Sequence, residues 1–328
     1  MTDVLRVGLV GCGLVGRKRA AALGGDRLVA CHDASASAAV ALADEHGGEA
    51  FSSLDDVLAA GCDVVIVAVT HDHLAEIACR ALESGSHALV EKPGGIGVAD
   101  VDRIHAAAQR AGRRVKVGFN HRFHPGIRRA ADEALSGDHG DVMFVRARYG
   151  HGGRLGYEQE WRADATVSGG GELVDQGMHL LDLSHWLLGE LPLHSALLRT
   201  QYWATEVEDN AVVVLGRAAG RAEPWCAFHV SWTEWKNMFS LEIYCRNAKL
   251  EVTGLSGSYG PQRLTLYRMK PELGPPDVDE VSYEEGDISW EAEWAHFADS
   301  LRAGDDRPLL GDLTSLRYGW QIVEAAYV

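Results

Sequence analysis

The stretch Gly8-Leu9-Val10-Gly11-Cys12-Gly13-Leu14-Val15-Gly16 constrains this chain more than any other. The apolar run Leu5–Val10 reads as a buried strand and the residues that follow read as a helix, so a G-x-G-x-x-G spacing falls on a strand-to-helix turn. Gly11 suits the tight turn, Gly13 lets the backbone approach a ligand closely, and Gly16 lets the helix pack on the strand. The helix start offers unpaired N–H groups and a partial positive charge to phosphate groups. An acid, Asp33, ends the second strand 33 − 13 = 20 residues beyond Gly13. A carboxylate there accepts hydrogen bonds from ribose hydroxyls and repels a 2′-phosphate, which favours NAD over NADP as the dinucleotide. The neighbouring Cys31-His32-Asp33-Ala34-Ser35-Ala36 supplies no arginine for such a phosphate.

From the start to about residue 123, short apolar runs alternate with amphipathic stretches, the pattern of a βαβ array on a parallel sheet. Strands are expected at Leu5–Val10, Leu28–His32, Ala50–Phe51, Val64–Val69, Ala88–Val90 and Val115–Phe119, with helices over Arg17–Leu23, Ala34–Glu45, His73–Ser84 and Val98–Ala111. They make a doubly wound Rossmann domain over residues 1–123. After about residue 140 come alternating or aromatic-rich runs: Val142–Tyr149, Ala196–Trp203, Ala211–Arg217, Trp225–Trp232, Phe239–Cys245, Leu250–Thr253 and Leu264–Met269. These predict a second α/β domain over residues 124–328, built on a large, mainly antiparallel open sheet. The helix Gly171–Leu188 interrupts the strands, and Ser289–Ala303 and Leu313–Ala326 close the chain as helices that can pack back towards the first domain.

Composition excludes several function classes. With 31 Lys+Arg against 47 Asp+Glu the net charge is −16, which argues against a protein that holds nucleic acid or anionic lipid by its overall field. The basic cluster Arg17-Lys18-Arg19 reads as a solvated helix face. The most apolar run, Val64–Val69, is far below the ~20 residues of a membrane span. Met1-Thr2-Asp3-Val4-Leu5-Arg6 lacks a secretory pattern, and the six cysteines show neither C-x-x-C nor zinc spacing, so they read as reduced, buried thiols. The expectation is a cytoplasmic protein.

Two further motifs carry candidate chemistry. Glu91-Lys92-Pro93 stands at the C-terminal end of the fifth strand, the edge where open parallel sheets bind ligands. A lysine there can donate a proton or a hydrogen bond to a carbonyl oxygen. In Gly169-Gly170-Gly171-Glu172-Leu173-Val174-Asp175-Gln176-Gly177-Met178-His179-Leu180-Leu181-Asp182, helical spacing puts Asp175, His179, Asp182 and Trp186 at about 0°, 40°, −20° and 20° on one polar stripe. No further His/Asp cluster is evident, and no metal is assigned. Trp203, Trp225, Trp232 and Trp235 read as core and interface.

The Gly8–Gly16 turn, Glu91-Lys92-Pro93, Gly118-Phe119-Asn120-His121-Arg122-Phe123 and the Gly169 to Asp182 segment, in that order, resemble the glucose-fructose oxidoreductase / inositol dehydrogenase (Gfo/Idh/MocA) family over essentially the whole chain. The resemblance implies a Rossmann domain paired with an α/β domain whose open sheet mediates homodimers or homotetramers. It implies NAD(P)-dependent hydride transfer at a secondary alcohol or ketone of a sugar, cyclitol or nucleotide sugar. Lys92 matches the proton-relaying lysine, and Asp175 and His179 match the D-x-x-x-H pair at the reacting hydroxyl. His179 would act as general base with Asp175 orienting it, and Lys92 would hydrogen-bond the same oxygen; Lys92 is the alternative proton acceptor. The positions implied to line the cofactor are Gly11, Cys12, Gly13, Leu14, Val15, Asp33, Thr70, His73, Glu91, Lys92, Asn120, Trp161 and Arg162. Those implied for substrate are Lys92, Arg122, Tyr149, Tyr157, Asp175 and His179, with His124 and the loop Gly254–Gly260 as further contributors. Two other readings share this fold: a redox-neutral glycosidase that retains NAD, and a non-catalytic dinucleotide-sensing protein.

Overall fold

The computed structural model describes residues 4–218, 223–272, 274–304 and 307–328. Strands and helices first alternate: β1 (Arg6–Val10), α1 (Leu14–Ala21), β2 (Arg27–His32), α2 (Ala36–His46), β3 (Glu49–Ala50), α3 (Leu54–Ala59), β4 (Val64–Val67), α4 (His71–Glu83), β5 (His87–Glu91), α5 (Val98–Ala111) and β6 (Val115–Gly118). There follow α6 (Pro125–Leu135), β7 (Val142–Gly150), the one-turn helices α7 (Ala165–Ser168) and α8 (Glu172–Asp175), and α9 (Gly177–Leu188). The remaining strands are β8 (Leu193–Arg199), β9 (Asn210–Leu215), β10 (Trp225–Ser231), β11 (Met238–Cys245), β12 (Ala248–Thr253), β13 (Gln262–Arg268) and β14 (Asp277–Tyr283), before α10 (Ser289–Arg302) and α11 (Leu313–Ala326). The chain divides into two compact units, Met1–Asn120 with Trp290–Arg317, and His121–Ser289 with Tyr318–Val328.

In the first unit the sheet order is β3-β2-β1-β4-β5-β6 with every pair parallel. The order reverses between β1 and β4, the place where ligands bind in such sheets. β4 is Val-Val-Ile-Val with no exposed residue, as a strand covered on both faces must be. Val7, Leu9, Leu28, Leu42, Ile66 and Leu89 form one core with Trp294 and Phe297 of α10. The basic cluster on α1 departs from the expectation of a solvated face: Arg17 and Lys18 are exposed, whereas Arg19 is buried. The cause is a set of buried carboxylates, described below.

In the second unit the sheet order is β14-β13-β12-β11-β7-β10-β9-β8, antiparallel except where β7 and β10 run parallel. Strict alternation of buried and half-buried residues along β11 marks a sheet with one face packed, and α6 and α9 lie against it. The expected helix Gly171–Leu188 is interrupted at Gln176, so α8 and α9 are separate. At the start of α8 the Glu208 carboxylate accepts the Leu173 N–H (2.9 Å) and the Tyr327 hydroxyl (3.0 Å), filling the place of a helix cap. β14 escapes the hydrophobic pattern because it is a largely exposed edge strand.

Two histidines set a pH dependence of stability. His87 Nδ1 accepts the Arg114 N–H and His151 Nδ1 accepts the Gly153 N–H, each at 2.9 Å, which requires unprotonated nitrogen at those positions. Burial lowers the pKa of both rings, assisted at His87 by Arg113 and Arg114. The unfolded chain, titrating near ~6.5, therefore binds more protons than the folded one below that pH. This contribution is complete above that value and is lost as pH falls from it through the lowered folded-state values. Thermal unfolding midpoints should drop between pH 7.5 and 5.5, and the slope should flatten in the double variant H87N/H151N; an unchanged slope would contradict the assignment.

Candidate functional site

The glycine turn of the first unit has the geometry its sequence calls for. Gly11 adopts φ +97°, and a Cβ there would lie 2.3 Å from the Ala68 carbonyl oxygen, so only glycine fits. Gly13 begins α1 with no side-chain cap and nothing within 4 Å of its Cβ position. That leaves open space in front of helix N–H groups, which fits a dinucleotide pyrophosphate. Asp33 closes the turn from β2, its Oδ2 accepting the Cys12 N–H at 2.7 Å and its Oδ1 the Ser35 N–H at 2.8 Å. Thr70 begins α4 with its hydroxyl donating to Asp72 (2.7 Å), His73 is exposed beside it, and Asn120 is buried at the end of the unit's first segment.

Lys92 stands half-buried just past β5, before a cis peptide to Pro93. Its neighbour Glu91 was expected at the cofactor, but its carboxylate turns inward. Arg19 Nε donates to Glu91 at 2.5 Å and Arg19 Nη1 to Glu293 at 2.7 Å, while Lys116 Nζ donates to the other Glu293 oxygen at 2.6 Å. Two cations and two carboxylates thus join α1, β5, β6 and α10 in the interior. Burial raises the Glu91 pKa although Arg19 opposes it; at Glu293 the effect of burial is outweighed by Lys116 and Arg19, leaving its pKa lowered. The Trp290 ring covers the Arg19 guanidinium at 4.4 Å. Gly118 makes room for the group, since a Cβ there would lie 2.7 Å from both Arg19 Nη2 and Glu91 Oε2.

In the second unit, the break at Gln176 takes Asp175 off the helix that carries His179, and the expected stripe divides by role. Asp182 is buried and holds Arg122 through Nε (2.8 Å) and Nη2 (2.6 Å), with the Trp186 ring 5.1 Å from that guanidinium. Arg122, expected at substrate, is committed to this internal pair. Asp175 instead meets Arg162 Nε at 3.3 Å, and Arg162 lies 4.4 Å over the Trp161 ring. Burial works against charge on Arg162, but Asp175 together with Tyr157 and Glu160 outweighs it and the pKa is raised. Asp175 also converges with His151 and Glu172, one donor atom of each lying within 4.8 Å of the others. Sequence spacing hides this group, because His151 comes from the end of β7, 172 − 151 = 21 residues before Glu172.

His179 is buried in the first turn of α9, its ring stacked on His121. Tyr149 packs beside both rings and 5.4 Å from Tyr259, which accepts a hydrogen bond from Gln176 Nε2 at 3.1 Å. Burial raises the Tyr149 hydroxyl well above its ordinary value and pushes Tyr259 up to about 12, so both remain protonated donors at neutral pH. Tyr157, also expected at substrate, is 2% exposed and belongs to an apolar cluster with Val207, Trp232 and Trp203. Trp232 is likewise core, whereas Trp225 and Trp235 are exposed.

Residues 5–119 match the model of an oxidoreductase family with an NAD-binding Rossmann fold, and residues 127–251 match a GFO/IDH/MocA C-terminal domain. An inositol 2-dehydrogenase of Salmonella paratyphi B is 27% identical over 232 residues, 66% of this chain and 65% of that protein. A D-glucoside 3-dehydrogenase of Escherichia coli is 31% identical over 195 residues, 56% of this chain and 54% of that protein. The matches thus span about two thirds or less of the length of these curated relatives. The fold is shared with a levoglucosan dehydrogenase solved with NADH and levoglucosan, at TM-score 0.85 and 19% identity over 99% of this chain and 98% of that one. With both of its domains matched, and with an NAD-binding Rossmann domain at its start, the chain belongs to the Gfo/Idh/MocA family of oxidoreductases.

Proposed function

We propose that the protein is an NAD-dependent dehydrogenase that oxidises one secondary hydroxyl of a sugar, cyclitol or nucleotide sugar, or reduces the corresponding ketone. The observation that carries this reading is the group in the second unit where the buried His179 is flanked by the phenolic donor Tyr149 and where the half-buried Arg162 holds the Asp175 carboxylate. A base, a carboxylate and several hydroxyl-directed donors suit a polyhydroxylated substrate. The named relatives act on inositol and on D-glucosides, which supports the same substrate class.

In this reading Gly11, Cys12, Gly13, Leu14 and Val15 hold the NAD pyrophosphate and Asp33 faces its ribose. NAD supplies a hydride acceptor when bound. His179 takes the hydroxyl proton, the Arg162-held Asp175 orients the substrate and the base, and Lys92 keeps the role the family pattern gives it, a hydrogen bond to the reacting oxygen. Absorbance of NADH scanned across sugars, cyclitols and nucleotide sugars tests the reading. NADH accumulation with one of them is the expected result. Release of sugar from a glycoside without NADH, or bound NAD with no turnover of any candidate, would overturn it.

The working assembly in this proposal is a homodimer or homotetramer through the open face of the second sheet, in the cytoplasm. That face carries a row of stacked rings, Phe144 against Trp225 (4.5 Å) and against Tyr244 (4.2 Å), beside the exposed Leu197 and Val212. Apolar surface of this kind marks an association site. Sedimentation velocity should show an oligomer that F144E shifts towards monomer without loss of NAD binding; an unshifted oligomer would place the interface elsewhere.

A further inference from the structure

We infer that His121 is a positioning residue for His179, and that the two stacked imidazoles form a base holding one proton between them. This inference rests on the assignment of His179 as the base. The ring centroids are 3.7 Å apart with 24° between planes, and the two residues are 5% and 6% exposed. Two imidazolium rings face to face at that distance, shielded from water, repel strongly, so the second protonation is displaced far from the first. A neutral His121 ring, by contrast, presents an electron-rich face to a cation on His179. The proton taken from the substrate hydroxyl then resides on the pair until it passes to solvent, and either ring protonated beforehand blocks the next turnover.

The orientation of the stack is fixed from several elements. His124 stands edge-on to His121 (5.5 Å, 83°), Tyr149 of β7 lies at 5.1 Å from His121 and 6.2 Å from His179, and Phe239 of β11 closes the far edge at 5.9 Å. The titratable groups around the pair are the phenols Tyr149 and Tyr259, the carboxylates Asp175 and Glu172 whose charges reach those phenols, the ring of His124 with Asp287 at 3.8 Å from its Nδ1, and the internally neutral Arg122–Asp182 pair. The phenols carry no charge at neutral pH, and the Arg122 and Asp182 charges cancel. Of the titratable groups named, His121 is the one stacked face to face on the His179 ring.

Histidine side-chain NMR titration of the NAD-loaded protein tests this directly. In the wild type the His121 and His179 signals should move together through two linked steps. In H121F, which keeps a ring but removes the proton site, His179 should titrate in one step, and the acid limb of kcat/KM for alcohol oxidation, a single-proton limb in both proteins, should be displaced to lower pH. In H121Q, which removes the stack, kcat should fall about tenfold with KM for NAD unchanged. Independent titration of the two wild-type rings overturns the proposal without recourse to a variant, as does a His179 midpoint and acid limb identical in wild type and H121F. Failure of the base assignment would look different: H179A would retain turnover while the linked titration of the wild type persisted.

Discussion

Replacing Arg19 by methionine is expected to destabilise the first unit by about 3–5 kcal/mol, the cost of breaking a buried ion pair by removing one partner. Arg19 is 1% exposed, donates to both Glu91 and Glu293, and lies under Trp290. Without it, Glu91 loses the cation it is paired with, while Glu293 keeps Lys116. A domain of ordinary stability has only about 5–15 kcal/mol in total, and for a unit of this size the loss corresponds to a fall in Tm of roughly 10 °C. The double variant R19M/E91M should recover much of the loss, because it deletes a charge pair together and leaves Glu293 with Lys116. Differential scanning calorimetry of the wild type, R19M, E91M and R19M/E91M checks this. A single-variant cost below about 1 kcal/mol, or strictly additive effects, would mean that the network is solvated in a way its burial denies.

That network also shows where reading the sequence stops. The Rossmann sheet and the glycine turn were legible because each follows from local pattern: apolar runs, helical periods and glycines at fixed spacing. Arg19 and Glu91 are 91 − 19 = 72 residues apart, and their partner Glu293 lies farther still, on α10. A basic triplet on a short helix carries no sign that one of its members turns inward. The polar stripe failed differently. Helical spacing grouped His179, Asp182 and Trp186 on α9, but the interruption at Gln176 leaves Asp175 on a separate one-turn helix, and periodicity cannot foresee a one-residue break. Arg122 and Tyr157 were legible as polar or aromatic residues near functional motifs, yet their partners Asp182 and Trp232 are set by tertiary contacts. The same limit hid His121, whose importance lies in a ring across the fold rather than in its neighbours along the chain.

For the proposed reaction, His179→Ala is expected to lower kcat by about 10²–10⁴, the range that a positioned general base contributes. At 1.36 kcal/mol per decade this is about 3–5 kcal/mol of transition-state stabilisation. The KM for NAD should be nearly unchanged, because the glycine turn Gly11–Val15 and Asp33, which this reading gives to the pyrophosphate and ribose, belong to the first unit. Asp175→Asn should be milder in proton transfer but should raise KM for the alcohol, since the amide cannot form the same ion pair with Arg162 (3.3 Å in the native protein) and is left to reorient. R162A should reproduce part of that effect by releasing Asp175 from the guanidinium. Steady-state kinetics in both directions, with NAD binding followed separately by fluorescence, distinguish these outcomes. If H179A keeps more than about a tenth of wild-type kcat, proton transfer belongs to Lys92, and K92M should then show the loss assigned here to His179.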